Sequence, residues 1–158
     1  MKKLLCAALA LLLFTACAGT RYAADVPLGE LCTRALDALG EEEYRLDTVG
    51  ITDDYFTMPD YVTECAILYS SRTDCINELG IFFVEDGRAK EFAALLRDSY
   101  LLPAYEKNRE FYDSYIPSET PKLRDARVET FGNAVVYAIL PTKEASDLFS
   151  AIRIALAK

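Results

Sequence analysis

Cys17 is the residue whose position in the sequence most clearly suggests chemistry, because of what precedes it. Residues 1–3 (Met-Lys-Lys) are basic at two positions, residues 4–14 form an apolar run of eleven, and residues 15–16 (Thr-Ala) are small. A basic start, an apolar stretch of about 7 to 15 residues and small residues before the cut are typical of a secretory signal peptide. The run is too short for a transmembrane helix, which needs about 20 apolar residues. We therefore expect residues 1–16 to be a signal peptide that is removed.

Residues 14–17 (Phe-Thr-Ala-Cys) resemble the lipobox of bacterial lipoproteins. In those proteins the cysteine thiol takes a diacylglycerol through a thioether bond and then becomes the amino terminus. The resemblance implies a lipid on Cys17, followed by a tether of small and polar residues over residues 17–27. Two or more acyl chains anchor a protein stably, at about 0.8 kcal/mol per buried CH2. The alternative is an ordinary signal peptide, cut after Ala18 or Ala24, with an incidental cysteine.

The charge of the chain excludes two kinds of partner. Its 158 residues contain 25 acidic and 17 basic side chains, with a net charge of −8 at pH 7. Removal of Lys2 and Lys3 with the signal peptide leaves 15 bases against the same 25 acids. Nucleic acid phosphates and anionic lipid headgroups repel such a protein. We therefore expect no nucleic-acid partner, and attachment to the membrane through lipid rather than through charge.

The composition also bears on catalysis, because the chain contains no histidine. It therefore lacks the usual general base near neutral pH, the Ser-His-Asp and Cys-His arrangements and the commonest metal ligand. We expect no enzymatic activity, no cofactor and no metal site. Carboxylate pairs could still act alone, as in glycoside hydrolysis, so a carboxylate-dependent hydrolase of cell-wall material is the alternative. Seven acidic residues between positions 41 and 60 lack the spacing of a calcium loop, and we interpret them as a solvated surface.

Three further cysteines lie beyond position 17. Cys32 falls on the apolar face of a predicted helix, where a cysteine behaves as a small hydrophobe, so we expect it in the core. Cys65 and Cys75 flank a predicted hairpin in a compartment where disulfides persist. A bridge between these two cysteines and simple packing of both thiols remain open at this point.

Four aromatic residues lie near one side of a predicted helix: Tyr105, Phe111, Tyr112 and Tyr115. They could form an aromatic platform for a glycan or a partner. Aromatic residues at helical spacing more often cover a core, with tyrosine hydroxyls left in water. We therefore expect these rings to cover the sheet.

Hydrophobic periodicity predicts a single α+β domain over residues 28–158. The predicted elements are a helix over 28–39, strands over 65–69 and 79–84, a helix that breaks or kinks at Leu102 before Pro103 and continues to 115, strands over 126–131 and 134–140, and a helix from 142. This α-β-β-α-β-β-α order indicates a four-stranded, mainly antiparallel sheet with helices packed on it. We interpret residues 41–60 as a surface connection with a short helical turn near 54–56, and residues 118–125 as a polar link.

Several segments of the sequence, taken together, resemble one protein family. They are the lipobox, DYVTECAILYSS, NELGIFFVEDG and YDSYIPSETPKLRDARVETFGNAVVYAIL. Together they resemble the bacterial lipoproteins grouped as domain-of-unknown-function family 4358, over about Asp25 to Leu156. The resemblance implies a location and a fold but no catalytic residue, since that family has no assigned activity. We therefore predict a lipid-anchored protein at the extracytoplasmic face of the cell membrane, a non-catalytic binding or interaction module for an unknown envelope protein or ligand.

Overall fold

The computed structural model describes residues 22–23, 25–40, 44–47 and 57–157. The signal peptide, Cys17, the first part of the tether and the turn predicted near 54–56 lie outside the described residues. Within the predicted tether, Tyr22 and Ala23 pack against the folded domain. The Ala23 amide donates a hydrogen bond of 2.7 Å to the carbonyl of Leu156, and the Tyr22 ring packs edge-on against Phe131 at 5.6 Å between centroids.

The strands form one antiparallel sheet. Their bounds are β1 Tyr44–Asp47, β2 Val62–Ser70, β3 Glu78–Val84, β4 Arg127–Phe131 and β5 Ala134–Ile139. Their order across the sheet is β1-β2-β3-β5-β4, with every pairing antiparallel. The α+β class is confirmed, and the four predicted strands are β2 to β5.

The short strand β1 shows that the prediction of a surface connection was wrong at this point. It pairs only with β2, from Tyr44 opposite Ser70 to Asp47 opposite Ile67. An edge strand needs a partner on one side only, and natural edge strands are often short and charged. Four residues that follow three glutamates carry too little apolar pattern to reveal a strand.

The helices cover both faces of the sheet. Their bounds are α1 Leu28–Leu39, α2 Ala89–Leu96, α3 Leu102–Tyr115, α4 Thr120–Arg124 and α5 Thr142–Leu156, with a π-helical segment Arg97–Leu101 between α2 and α3. α1 and α5 pack on one face, while α2, the π-helical segment and α4 pack on the other. The domain is therefore a three-layer α/β/α arrangement. The polar link predicted over 118–125 contains α4, which buries Leu123 in the core.

The predicted break before Pro103 takes the form of the π-helical segment. Proline has no N–H and clashes with the preceding turn of a regular helix, so a helix that runs into it must widen or stop. π-helical turns are one of the standard ways to absorb such a disruption. Here the wide turn lies directly before α3, and the chain stays helical through Leu102 and beyond.

β5 lies between β3 and β4 and is buried at all six positions from Ala134 to Ile139. Strands covered by helices on both faces need apolar side chains at successive positions, which explains the uninterrupted apolar run. On β3, successive side chains point to opposite faces of the sheet. Leu79 and Ile81 face α1 and α5, and Phe82 faces α2.

Candidate functional site

A pocket of about 210 Å³ lies at the end of the sheet where β2 finishes and β3 begins. Strands β2 and β3, the connection between them, the π-helical segment and α3 all contribute to its wall. The polar side chains that line it include Ser70, Asn77, Glu78, Tyr100, Asn108 and Tyr112. The pocket therefore combines a rigid sheet edge with a helical wall, and its lining is rich in hydroxyl, amide and carboxyl groups.

Glu78 is the central acidic group of this pocket. Its Oε1 accepts a hydrogen bond of 2.6 Å from the hydroxyl of Tyr137 and a second one from the hydroxyl of Tyr100. Burial raises the pKa of Glu78 above its usual value of 4.5, although the two tyrosine hydroxyls favour the carboxylate and oppose that rise. Burial, and then the charge of Glu78, raises the pKa of Tyr137 well above 10.0. The two phenols therefore act as hydrogen-bond donors to Glu78.

A glycine on the neighbouring strand allows Tyr137 to reach this carboxyl. Gly80 stands opposite Tyr137 in the β3–β5 register. A Cβ atom at Gly80 would lie 2.2 Å from Cε1 of Tyr137, so the ring occupies the space that a side chain would take. Because side chains two residues apart on a strand share a face, the ring that crosses Gly80 points its hydroxyl at Glu78. The contact between Tyr137 and Glu78 thus depends on a glycine at position 80.

A second polar group closes one side of the pocket. Lys122 on α4 lies 2.9 Å from Oε2 of Glu119 and donates a hydrogen bond of 2.8 Å to Oδ1 of Asn77. The same Glu119 oxygen accepts a hydrogen bond of 2.9 Å from the backbone N–H of Ile76. This set of contacts binds α4 to the loop between β2 and β3. The ammonium of Lys122 is thereby paired with a carboxylate, and Lys122 does not line the pocket.

The cysteines predicted as a possible pair are not bridged. Cys65 and Cys75 are both thiols in the structure. Cys65 lies within β2, five residues before Ser70, and five strand residues span about 16 Å. Disulfides need Cα atoms within about 7 Å, and Cys75 lies beyond the end of the strand. Cys65 packs against the core, Cys75 lines the pocket, and Cys32 on α1 packs against the core as expected.

The aromatic residues of α3 divide into two pairs. Tyr105 and Tyr112 are half-buried and pack against the core, in keeping with rings that cover the sheet side. Phe111 and Tyr115 are 54% and 75% exposed and lie 5.0 Å apart between centroids, so the expectation that they cover the sheet is wrong. Ala104, Asn108 and Tyr112 lie on the side of α3 that lines the pocket, whereas Phe111 and Tyr115 lie on a side that faces solvent.

The grouping of Glu78, Tyr100 and Tyr137 was not predicted from the sequence. Tyr100 and Tyr137 lie 22 and 59 residues from Glu78. One signal was available: Glu78 shares the strand face of Phe82 and Val84, which both lie in the core. An acidic residue on the buried face of a strand needs a partner, and this would have marked it as a candidate.

Three further observations concern the described residues. In this part of the chain, no group of three or more potential metal-ligating side chains comes together. The acidic stretch 41–60 is described only at 44–47 and 57–60. No helix of the ranges 22–23, 25–40, 44–47 and 57–157 is both long and apolar enough to cross a bilayer.

Comparison of the chain with protein-family models, with curated proteins and with solved structures found no match in any of the three. The fold and the site by themselves define an antiparallel α+β domain with a carboxyl–tyrosine pocket at one end of its sheet. The resemblance to domain-of-unknown-function family 4358 stays a prediction.

Proposed function

We propose that this chain is a lipid-anchored binding module at the extracytoplasmic face of the cell membrane, and that the pocket at Glu78 holds a small polar ligand. The membrane address is supported by the sequence around Cys17, with its basic start, apolar run and lipobox-like residues. The binding role is supported by one structural observation above the others. The pocket presents polar groups that the sheet and the neighbouring tyrosines already hold in place, as ligand sites commonly do.

The arrangement of carboxyl groups supports binding over the alternative of a wall hydrolase. Two-carboxylate hydrolysis needs a pair of acids that face each other across the substrate, about 5 to 9.5 Å apart. Glu78 lines the pocket, but the nearby Glu119 is bonded to the ammonium of Lys122 and to the N–H of Ile76. Its carboxylate is thus engaged within the protein.

Replacement of the proposed lipid-bearing cysteine tests the proposed location at the membrane. In cells that express the full chain, Cys17→Ala should move the protein from the membrane fraction to the soluble fraction, because no acyl chain can form a thioether at alanine. Mass spectrometry of the wild-type protein should show a mature amino terminus at position 17 with added acyl mass. Cys75→Ser, a change at a pocket cysteine, should stay in the membrane fraction. An intact Met1 on protein from the cytosol would contradict the proposal.

Occlusion of the pocket tests the binding role. Ala104 on α3 lines the pocket, so Ala104→Trp should fill the space with an indole, whereas Ala104→Ser should leave it open. We expect at least one of three fragment probes, n-butylammonium, 1-butanol and butyrate, to shift the NMR signals of pocket residues in the detergent-solubilised full chain. That shift should disappear in Ala104→Trp and persist in Ala104→Ser. If none of the probes shifts these signals at millimolar concentrations, the binding role is wrong.

A further inference from the structure

We infer that the ligand of this pocket carries a positively charged ammonium group and that Glu78 is its counter-ion. This inference rests on the proposed function, since it names the chemical class of the ligand for the same pocket. It is carried by the hydrogen bonds of Glu78, by the charges around the pocket and by the nature of its walls.

The hydrogen bonds of Glu78 leave one oxygen for a ligand. Tyr100 and Tyr137 both donate to Oε1, and no described residue donates to Oε2. Glu78 lines the pocket, so this second oxygen is the acceptor that it offers there. Asn108, also on the wall, uses its amide Nδ2 to bond the carbonyl of Ala104 at 2.8 Å, which leaves its Oδ1 as an acceptor. An ammonium group has three donors and no acceptor, and it matches such a set.

The charges around the pocket favour the same ligand. The described residues that line the pocket include Glu78 and no lysine or arginine. The titratable side chains around Glu78 and the pocket are Tyr69 from β2, Cys75 from the β2–β3 connection, Tyr100 from the π-helical segment, Tyr137 from β5 and Tyr112 from α3. From α4, the ammonium of Lys122 is paired with Glu119 and lies 3.8 Å from Sγ of Cys75. A carboxylate taken out of water without a counter-charge is costly, and the cost shows as the raised pKa of Glu78. A ligand ammonium would supply the missing positive charge.

The walls and the size of the pocket narrow the ligand further. Three of its lining residues are tyrosines, and the faces of aromatic rings attract cations. The volume of about 210 Å³ is larger than the engineered cavity of about 150 Å³ that holds benzene. The pocket therefore suits a small amine or the amine-bearing end of a larger molecule. An anion would meet the carboxyl group of Glu78 and no lysine or arginine on the wall, since Lys122 lies behind Asn77 and Cys75 and is paired with Glu119.

The three fragment probes test this inference, because they share one carbon chain and differ in charge. We expect n-butylammonium to bind at least about tenfold more tightly than 1-butanol, which corresponds to about 1.4 kcal/mol, and butyrate to bind most weakly. The readout is the carboxyl ¹³C signal of Glu78 in the detergent-solubilised full chain. Since the ammonium binds the carboxylate form, its affinity should rise with pH until Glu78 is ionised in the free protein. At pH values where Glu78 is still protonated in the free protein, binding should release its proton. Calorimetry in buffers of different ionisation enthalpy measures this release.

Substitutions at Asn108 provide a test that leaves Glu78 in place. Asn108→Asp should tighten the binding of n-butylammonium, and Asn108→Lys should weaken it. The two substitutions should not have opposite effects on the binding of 1-butanol. Glu78→Gln should remove the preference for the ammonium, provided that circular dichroism shows an intact fold. If 1-butanol or butyrate binds in the pocket as tightly as n-butylammonium, or if the two Asn108 variants act alike, the inference is wrong while the binding role stands. If no probe binds, both are wrong.

Discussion

Gly80→Ala should lower the free energy of unfolding by about 3 kcal/mol, at the upper end of the usual cost of overpacking a core. A Cβ atom at this position would lie 2.2 Å from Cε1 of Tyr137 and 2.7 Å from Cε2 of Phe82. Both rings are fully buried and packed among other core side chains, so neither can move aside cheaply. Urea denaturation of the full chain in detergent, monitored by circular dichroism, measures the change.

Gly29→Ala is the matched control for this substitution. Gly29 lies in α1, and a Cβ atom there would meet nothing within 4 Å. Alanine is favoured over glycine in an open helical position by about 0.5 to 1 kcal/mol, so this variant should be slightly more stable than the wild type. Gly80→Ala should also displace the ring of Tyr137 and change the carboxyl ¹³C signal of Glu78. Equal stability of the two glycine variants would show that the ring does not occupy the space over Gly80.

Lys122→Ala should lower the free energy of unfolding by about 3 to 5 kcal/mol, the usual cost of removing one partner of a buried ion pair. The side chains of Lys122 and Glu119 are only 15% and 8% exposed, and the ammonium also bonds Asn77. Without the lysine, the carboxylate of Glu119 would keep its bond from the N–H of Ile76 but lose its counter-charge. Thermal and urea unfolding of the full chain measure the effect.

Lys143→Ala is the control for the loss of a lysine. Lys143 pairs with Asp147 at 2.6 Å, but its side chain is 87% exposed, and exposed ion pairs contribute about 0 to 1 kcal/mol. The double change Lys122→Met with Glu119→Gln should recover much of the stability lost in Lys122→Ala, because it removes the unpaired charge. A cost for Lys122→Ala no larger than that for Lys143→Ala would mean that water reaches the Glu119 carboxylate freely.

The structure bears out the predictions that depend on local periodicity. The first helix was predicted over 28–39 and is observed at Leu28–Leu39, and the last helix begins at Thr142 as predicted. The turn at Gly132 joins β4 and β5, and Gly132 has the positive φ of 65° that such a turn requires. These features depend on residues that lie within a few positions of one another, so the order of residues is enough to predict them.

Other features could not be predicted, because they depend on partners far away in the chain. β1 forms only because β2 offers a free edge, and α4 is a single short helix whose main apolar contact is Leu123. Phe111 and Tyr115 are exposed because a different side of α3, with Ala104, Asn108 and Tyr112, lines the pocket, and helical spacing does not specify which side is covered. A bridge between Cys65 and Cys75 depended on a distance that the sequence could not supply.

The sequence by itself determined the class of the domain, its main helices and strands, and the prediction of a lipid-bearing cysteine at position 17. Only the tertiary structure decided the pocket, because it brings Glu78, Tyr100 and Tyr137 together from separate elements. The physical reason is the register of β3 against β5, which sets Gly80 beneath the ring of Tyr137. A shift of that register by one residue would turn the ring to the opposite face of the sheet and separate its hydroxyl from the carboxyl.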